Sequence, residues 1–315
     1  MKILKIALTY FLIFCCFFSN AKANTKAKPL RILILLDASS SMAEHWSDSL
    51  TRFKAATKIV THLIDSLSKL DKQIVFGLRV FGHQYPAQDN NCSDTKLEVN
   101  ISINNITQIK LRLESLHPYG VSPVVYALKE ACTNDLISPE EYENRIILIT
   151  DGGESCGGDL CTFKEELLQK KITVEISVIC LINYAPVRHQ YSCISKYSVV
   201  TKENDMKKTI RNLFPEYSNA IPTIHFSADT SEDGFGYIEI SNKNIVKAIS
   251  LYFEFQGQFI LFDRLNIKAL YQGQKLQLKT GRYKIIYTSD IRSTPKYMSQ
   301  EFSIKANDIT QIELK

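Results

Sequence analysis

Several chemical signatures are missing from this 315-residue chain. Its six histidines are scattered without the His-x-x-x-His spacing of a helical zinc site. No Gly-x-Ser-x-Gly elbow surrounds its serines, so a serine-hydrolase triad is not indicated. Beyond the first 23 residues, no apolar run is long enough to cross a membrane as a helix. The formal charge falls from +5 to +2 without Lys2, Lys5 and Lys22, which gives little reason to expect a nucleic-acid partner.

Residues 1–23 have the pattern of a secretory signal peptide. Lys2 and Lys5 precede an apolar stretch from Ile6 to Phe18, and Ala21-Lys-Ala23 offers a cleavage site before Asn24. The apolar stretch is short for a membrane span. The sequence therefore predicts an exported protein, secreted or periplasmic, with no membrane span after cleavage.

The strongest chemical signal follows an apolar run, Leu30 to Leu36, which predicts a buried β-strand. Asp37, Ser39 and Ser41 come directly after it, at alternate positions. A carboxylate and two hydroxyls held by one turn form an oxygen-only cluster, which suits a hard divalent cation. Serine and aspartate are also ordinary turn formers after a strand, so this run needs support from elsewhere in the chain.

Two later segments offer further oxygen ligands. Ser122 precedes Pro123, which can take the first position of a helix and so places the hydroxyl on a loop at a helix start. The run Arg145 to Thr150 predicts a second buried strand, and Asp151 follows at its carboxyl end. Ligands gather outside the carboxyl ends of strands in an open parallel sheet. Asp37 and Asp151 would therefore converge if their strands are neighbours.

Three separated motifs, in this order, resemble the von Willebrand factor A (VWA) family in its secreted bacterial form. They are Asp37-x-Ser39-x-Ser41, Gly120-x-Ser122-Pro123 and Ile149-Thr150-Asp151-Gly152, with further matches at Phe81-Gly-His, Asn91-Cys-Ser-Asp and residues 151–161. The resemblance covers residues 30–214. It implies a metal-ion-dependent adhesion site (MIDAS), in which Ser39, Ser41 and Ser122 coordinate Mg2+ through hydroxyls while Asp37 and Asp151 act directly or through water. The family usually has threonine at the position of Ser122, and serine keeps the hydroxyl but loses the methyl group that limits its rotamers.

These features predict a non-enzymatic module that captures an acidic side chain of a protein partner through a bound Mg2+, with Mn2+ or Ca2+ as possible substitutes. Two alternatives stay open. A metal-dependent hydrolase acting on cell-envelope polymers would need a general base, and none is evident. A structural envelope protein whose site has lapsed is the other alternative, and Ser122 is its main support. Substrate turnover separates the first alternative from the adhesion hypothesis, and metal binding separates the second.

The segment after Asp151 also carries cysteines. The exported part of the chain has an even number of them, which favours disulfides in an oxidising compartment. Cys156 and Cys161 flank a short glycine-bearing loop, and we predict a bridge between them; a zinc site is the alternative. Glu154 and Asp159 could tune the charge of Asp151, but we interpret them as solvated loop carboxylates. The cysteines whose pairing the sequence leaves open are Cys92, Cys132, Cys180 and Cys193.

Hydrophobic patterns alternate between strand and helix from residue 30 to 214, which is typical of a doubly wound, mostly parallel α/β sheet. A long amphipathic helix is predicted over residues 53–70, with Trp46 at its start. The strands 74–81 and 96–103 are close in the chain and are predicted to pair antiparallel. The other predicted helices cover 107–116, 123–132, 162–170, 186–195 and 204–214, and the other strands cover 30–36, 145–150, 172–180 and a short run near Val199.

Residues 215–221 are interpreted as a linker, which predicts that few contacts cross it. Beyond the linker the pattern changes to short strands separated by turns. Residues 222–315 are therefore predicted to form a small all-β sandwich. Its predicted strands cover 235–240, 249–255, 275–278, 283–288, 301–304 and 309–314.

Overall fold

The structure is a computed structural model that describes residues 28–138, 140–194, 196–217, 234–242, 246–255, 257–265, 275–289 and 296–314. The predicted signal peptide lies outside these residues, as do 218–221 of the predicted linker and 222–233 beyond it. Within the described ranges, no helix has both the length and the apolar character needed to cross a membrane.

The first domain is built on a six-stranded sheet with the strand order β5-β4-β1-β6-β7-β8. All neighbours pair in parallel except β4 and β5, which pair antiparallel as predicted. A separate two-stranded ribbon joins β2 to β3. The strands of this domain are β1 (Leu30–Asp37), β2 (His45–Ser47), β3 (Leu50–Thr51), β4 (Val75–Phe81), β5 (Thr95–Ser102), β6 (Glu143–Thr150), β7 (Glu175–Cys180) and β8 (Lys196–Val199).

Helices cover both faces of this sheet, which explains why every residue of β1 is buried. Ile32, Ile34 and Leu36 belong to the core under α1, α2 and α6, whereas Leu33 and Leu35 belong to the core under α3, α4 and α5. The doubly wound fold predicted from the sequence is confirmed. The helices are α1 (Arg52–Leu70), α2 (Ile106–Ser115), α3 (Val124–Glu130), α4 (Leu160–Gln169), α5 (Ala185–Gln190) and α6 (Glu203–Leu213).

Helix α1 begins at Arg52, one residue before the predicted start, and Trp46 is not part of it. Thr51 is the N-cap residue, and its hydroxyl accepts a hydrogen bond from the backbone N–H of Lys54 at 3.2 Å. Trp46 lies in β2 instead, and its indole N–H donates to the carbonyl of Val200 at 3.1 Å. The placement of Trp46 at the helix start is therefore wrong, because the chain first folds back through the β2–β3 ribbon.

The second domain is a β-sandwich, as predicted. A four-stranded antiparallel sheet, β11-β10-β13-β14, packs on a three-stranded sheet, β12-β9-β15, and both contribute to one core that includes Tyr283, Leu251 and Ile238. Strand β11 is not among the strands predicted from the sequence; it follows β10 after a tight turn at Gly257, where φ is +77°. The strands are β9 (Phe235–Asn242), β10 (Val246–Phe255), β11 (Gln258–Leu265), β12 (Leu276–Lys279), β13 (Gly281–Ser289), β14 (Lys296–Ile304) and β15 (Ile309–Leu314).

A buried charged cluster joins the two domains. Asp263 of β11 lies 3.1 Å from the ammonium of Lys96 and 3.4 Å from the guanidinium of Arg112. Arg112 also bonds Glu98 at 2.5 Å and stacks over the ring of Phe262 at 4.9 Å. Burial by itself raises the pKa of Glu98, but the charges of Arg112 and Lys96 hold that pKa well below its ordinary value. The expectation that few contacts cross the linker does not fit these ion pairs.

Replacing Asp263 by alanine is expected to lower the free energy of unfolding by about 3 kcal/mol, because Arg112 stays buried with a deficit of negative charge. Glu301→Ala is the matched control in the same domain, since Glu301 is half-exposed and pairs with the exposed Arg282. Its loss is expected to stay below about 1 kcal/mol. Urea unfolding of both variants makes the comparison, and equal losses would show that the cluster does not hold the domains together.

Candidate metal centre

The candidate site lies where β1 and β6 end. These two strands are parallel neighbours, with Leu36 paired to Ile149. Asp37 is the last residue of β1, and Asp151 follows the last residue of β6. Both carboxylates therefore emerge at the carboxyl edge of the sheet, where open α/β folds bind ligands.

Hydrogen bonds connect four of the five predicted ligands. Asp37 Oδ1 accepts the backbone N–H of Ser39 at 2.8 Å. The hydroxyls of Ser39 and Ser41 lie 3.2 Å apart. The Ser41 hydroxyl donates to Asp151 Oδ1 at 2.8 Å. The structure thus brings Asp37, Ser39, Ser41 and Asp151 into one oxygen-lined network, although 110 positions separate Ser41 from Asp151.

Ser122 lies on the adjoining loop. Gly120 of that loop forms a backbone bridge with Ser39, and its carbonyl accepts the N–H of Ser40 at 2.9 Å. On its other side, the Ser122 N–H donates to the hydroxyl of Ser155 at 2.9 Å. Ser122 is buried. Its described hydrogen bonds use its backbone, so the structure positions its loop at the site.

A neighbouring glycine allows this loop to approach the Asp37 turn. Gly82 has φ of +71°, a conformation that favours glycine, and an added Cβ would lie 2.4 Å from the carbonyl oxygen of Val121. The Gly82 carbonyl accepts the N–H of Gly120 at 2.8 Å. Gly82 thereby holds the Ser122 loop beside the turn that carries Ser39.

Two residues outside the predicted ligand set orient the carboxylates. Thr150 donates from its hydroxyl to Asp37 Oδ2 at 2.5 Å. Arg52 donates from Nη1 to Asp151 Oδ2 at 2.8 Å. Thr150 is a buried strand residue next to Asp151, and its hydroxyl is the only feature in the sequence that indicates a contact with the carboxylates. Arg52 is 99 positions away from Asp151, and no local pattern pointed to this pair.

Asp159 is exposed, in keeping with its interpretation as a solvated loop carboxylate, whereas Glu154 is half-buried. Glu154 accepts the backbone N–H of Val125 at 2.7 Å, at the start of α3, and that of Cys156 at 2.6 Å. Asp159 caps α4 by accepting the N–H of Thr162 at 2.6 Å. That hydrogen bond lowers the pKa of Asp159. Both carboxylates therefore stabilise helix starts around the site.

The site concentrates negative charge in a buried place. Asp37 is fully buried, and the exposed fraction of Asp151 is 2%. Burial, together with the charge of Asp151, raises the pKa of Asp37 to about 7. No cluster of three or more His, Cys, Asp or Glu side chains suited to a metal occurs among the residues described. The donor set here is two carboxylates with hydroxyls, and this all-oxygen set fits a hard cation such as Mg2+.

The cysteines near the site pair differently from the prediction. The disulfides are Cys92–Cys156 and Cys161–Cys193, with Cα–Cα distances of 5.6 and 5.4 Å. The predicted Cys156–Cys161 bridge is wrong, because Asp159 begins α4 between the two residues and places them in different elements. Among the residues that the structure describes, Cys132 and Cys180 lie outside these bridges, and both are buried free thiols. Burial raises the pKa of Cys132 to about 12, so that thiol stays protonated at neutral pH.

The fold and the site together define a doubly wound α/β domain with an oxygen-lined cluster at the carboxyl ends of its strands, followed by a β-sandwich. No protein-family model matches the chain. The uncharacterized protein YwmC of Bacillus subtilis (strain 168) is 29% identical over 168 residues, which is 50% of this chain and 70% of YwmC. YwmD of the same organism is 27% identical over 165 residues, which is 51% of this chain and 72% of YwmD.

Solved structures show a general likeness. The SpRpn10 VWA domain has a TM-score of 0.44 and 12% identity, covering 58% of this chain and 94% of its own. The pilus adhesin SpaC from Lactobacillus rhamnosus GG has a TM-score of 0.47 and 14% identity, covering 90% of this chain but 45% of SpaC.

Proposed function

We propose that this chain is an exported protein-binding module whose partner contact depends on a divalent cation held by Asp37, Ser39, Ser41, Ser122 and Asp151. The observation that carries the proposal is the hydrogen-bonded network of Asp37, Ser39, Ser41 and Asp151 at the ends of β1 and β6. Mg2+ is the cation that this donor set suits best, with Mn2+ or Ca2+ as substitutes.

The residues of the site would bind the cation without fully neutralising it. Hydroxyls are neutral ligands, and Asp151 already shares its charge with Arg52. A bound cation would supply an electrophilic coordination position that a carboxylate of a partner can fill. Thr150 and the N–H of Ser39 fix the orientation of Asp37, which keeps the donor set in place before any ligand arrives.

The rest of the chain is consistent with a binding module outside the cytoplasm. Two disulfides flank the site, and such bridges persist in oxidising compartments. Glu154 and Asp159, which follow Asp151 in the same segment, bond backbone N–H groups at helix starts. We infer that residues 30–214 form the binding domain and that 222–315 form the sandwich.

Metal titration of the wild-type protein tests the first part of the proposal. Mg2+ or Mn2+ is expected to raise the unfolding midpoint, because two buried carboxylates gain a counter-charge. At 100 times the dissociation constant the stabilisation is about 2.7 kcal/mol. EDTA should reverse the shift. Thermal unfolding with calorimetric titration makes the measurement, and the absence of both heat and stabilisation with Mg2+, Mn2+ and Ca2+ would favour a lapsed site.

Co-purification tests the second part. The tagged protein, incubated with an envelope extract of its own source, is expected to retain a partner in Mg2+ and to release it in EDTA. Mutating single acidic residues of that partner should then abolish capture, since one carboxylate completes the coordination. A partner retained equally in both conditions would place recognition on another surface.

A further inference from the structure

Arg52 is fixed between a carboxylate of the site and a carboxylate outside it. Its Nη1 lies 2.8 Å from Asp151 Oδ2, and its Nη2 lies 2.7 Å from Glu44 Oε2. Its backbone N–H also donates to the carbonyl of Glu44 at 2.8 Å. The Asp151 side chain is 1% exposed and that of Arg52 is 18% exposed, whereas that of Glu44 is 63% exposed. The positive charge of Arg52 therefore lies beside Asp151 in a place where water screens their interaction poorly.

The positive charge of Arg52 changes the net charge of the site both without a metal and with one. Arginine stays protonated under all ordinary conditions, so its charge cannot be removed by a neighbour. Counted with both carboxylates ionised, the charges of Asp37, Asp151 and Arg52 sum to −1 without a metal. With a divalent cation they sum to +1. Without Arg52 the corresponding sums would be −2 and 0, so the arginine favours the metal-free state and opposes metal binding.

We propose that Arg52 is a positioning residue that sets the affinity of the site for divalent cations by compensating Asp151 in the metal-free protein. Glu44 moderates this effect, because its carboxylate compensates part of the charge of the same guanidinium. The inference rests on the proposed metal site and goes beyond it. Its consequence is that the site is tuned for weak, reversible metal binding without loss of the metal-free fold.

Arg52→Ala is the direct test, with Mn2+ alone as the probe. The dissociation constant for Mn2+ is expected to fall by about tenfold, since a unit positive charge a few ångström from the cation is removed. The unfolding midpoint of the metal-free protein is expected to fall at the same time, because Asp151 is left buried with Asp37. A merely structural role would not strengthen metal binding while weakening the fold.

Arg145→Ala is the matched control. Arg145 is also a largely buried arginine paired with carboxylates, those of Glu143, Glu175 and Glu216, but it lies near the other end of β6. The six residues to Asp151 put it about 20 Å away at the rise of a β-strand. This variant is expected to lose stability and to keep the wild-type dissociation constant.

Two further variants keep the test decisive if Arg52→Ala folds poorly. Arg52→Lys keeps the charge and should bind Mn2+ within about threefold of the wild type. Glu44→Gln, which leaves the guanidinium to Asp151 alone, should bind Mn2+ more weakly. If the wild type binds Mn2+ and Arg52→Ala binds no better, the role of Arg52 is wrong and the site stands. If neither protein binds Mn2+, the metal site itself is wrong.

Discussion

Replacing Asp37 by alanine is expected to abolish divalent-cation binding while leaving the fold intact. Asp37 supplies one of the two carboxylates of the site, and hydroxyls cannot replace its charge. Two effects oppose each other in the metal-free protein. The N–H of Ser39 and the hydroxyl of Thr150 lose an acceptor, which costs about 1–3 kcal/mol. In return, a fully buried carboxylate no longer faces Asp151.

Asp37→Asn separates charge from shape. Asparagine keeps an oxygen that accepts the N–H of Ser39, so the turn is preserved, but the negative charge is gone. Calorimetric titration with Mn2+ should show an affinity at least about a hundredfold weaker for both variants. Circular dichroism should show the wild-type content of helix and strand. Wild-type affinity in Asp37→Asn would mean that the cation is bound elsewhere or not by this carboxylate.

Ser122→Ala provides a graded comparison in the same titration. Ser122 would contribute one neutral ligand, which water can replace, so the expected loss of affinity is smaller, roughly tenfold. The described bonds of Ser122 come from its backbone to Ser155, and alanine retains them. An unchanged affinity would remove Ser122 from the ligand set without affecting the other four residues.

The sequence was sufficient for the sheet of the first domain and for the convergence of Asp37 and Asp151, because both depend on local patterns. The eight residues of β1 are buried on both faces, and a continuous apolar run is the direct signature of such a strand. Strand ends then determine where Asp37 and Asp151 lie, since adjacent parallel strands finish at one edge. Their convergence required only that β1 and β6 be neighbours, which the structure shows.

The ion pairs and the disulfides could not be predicted from the sequence, because they join residues that are far apart in the chain. Arg52 meets Asp151, and Asp263 meets Arg112, through contacts that no window of sequence contains. The cysteine prediction failed for the same reason. Proximity in the chain favoured Cys156 and Cys161, but the helix start at Asp159 separates them, and each finds a partner from another loop. A short separation in the chain is thus a poor predictor of a disulfide when a helix begins between the two cysteines.

Removing the Cys92–Cys156 bridge, by changing both residues to serine, is expected to lower the free energy of unfolding by about 4 kcal/mol. The two cysteines are 64 positions apart, so the bridge removes considerable chain entropy from the unfolded state. The comparison is the double serine variant of Cys161 and Cys193, which are 32 positions apart. Its loss should be smaller by about 0.6 kcal/mol, because loop entropy changes slowly with length.

The variant that lacks the Cys92–Cys156 bridge is also expected to bind the metal roughly tenfold more weakly. Cys156 follows Ser155, whose hydroxyl and N–H both bond the backbone of Ser122, and Glu154 holds the start of α3 just beyond. Without the bridge to Cys92 this segment is less firmly held, so the Ser122 loop is less well positioned. Urea unfolding and Mn2+ titration measure the two effects, and peptide mapping of the oxidised wild type identifies the bridge. Recovery of a Cys156–Cys161 peptide, or a loss of stability below about 1 kcal/mol, would contradict the pairing that the structure shows.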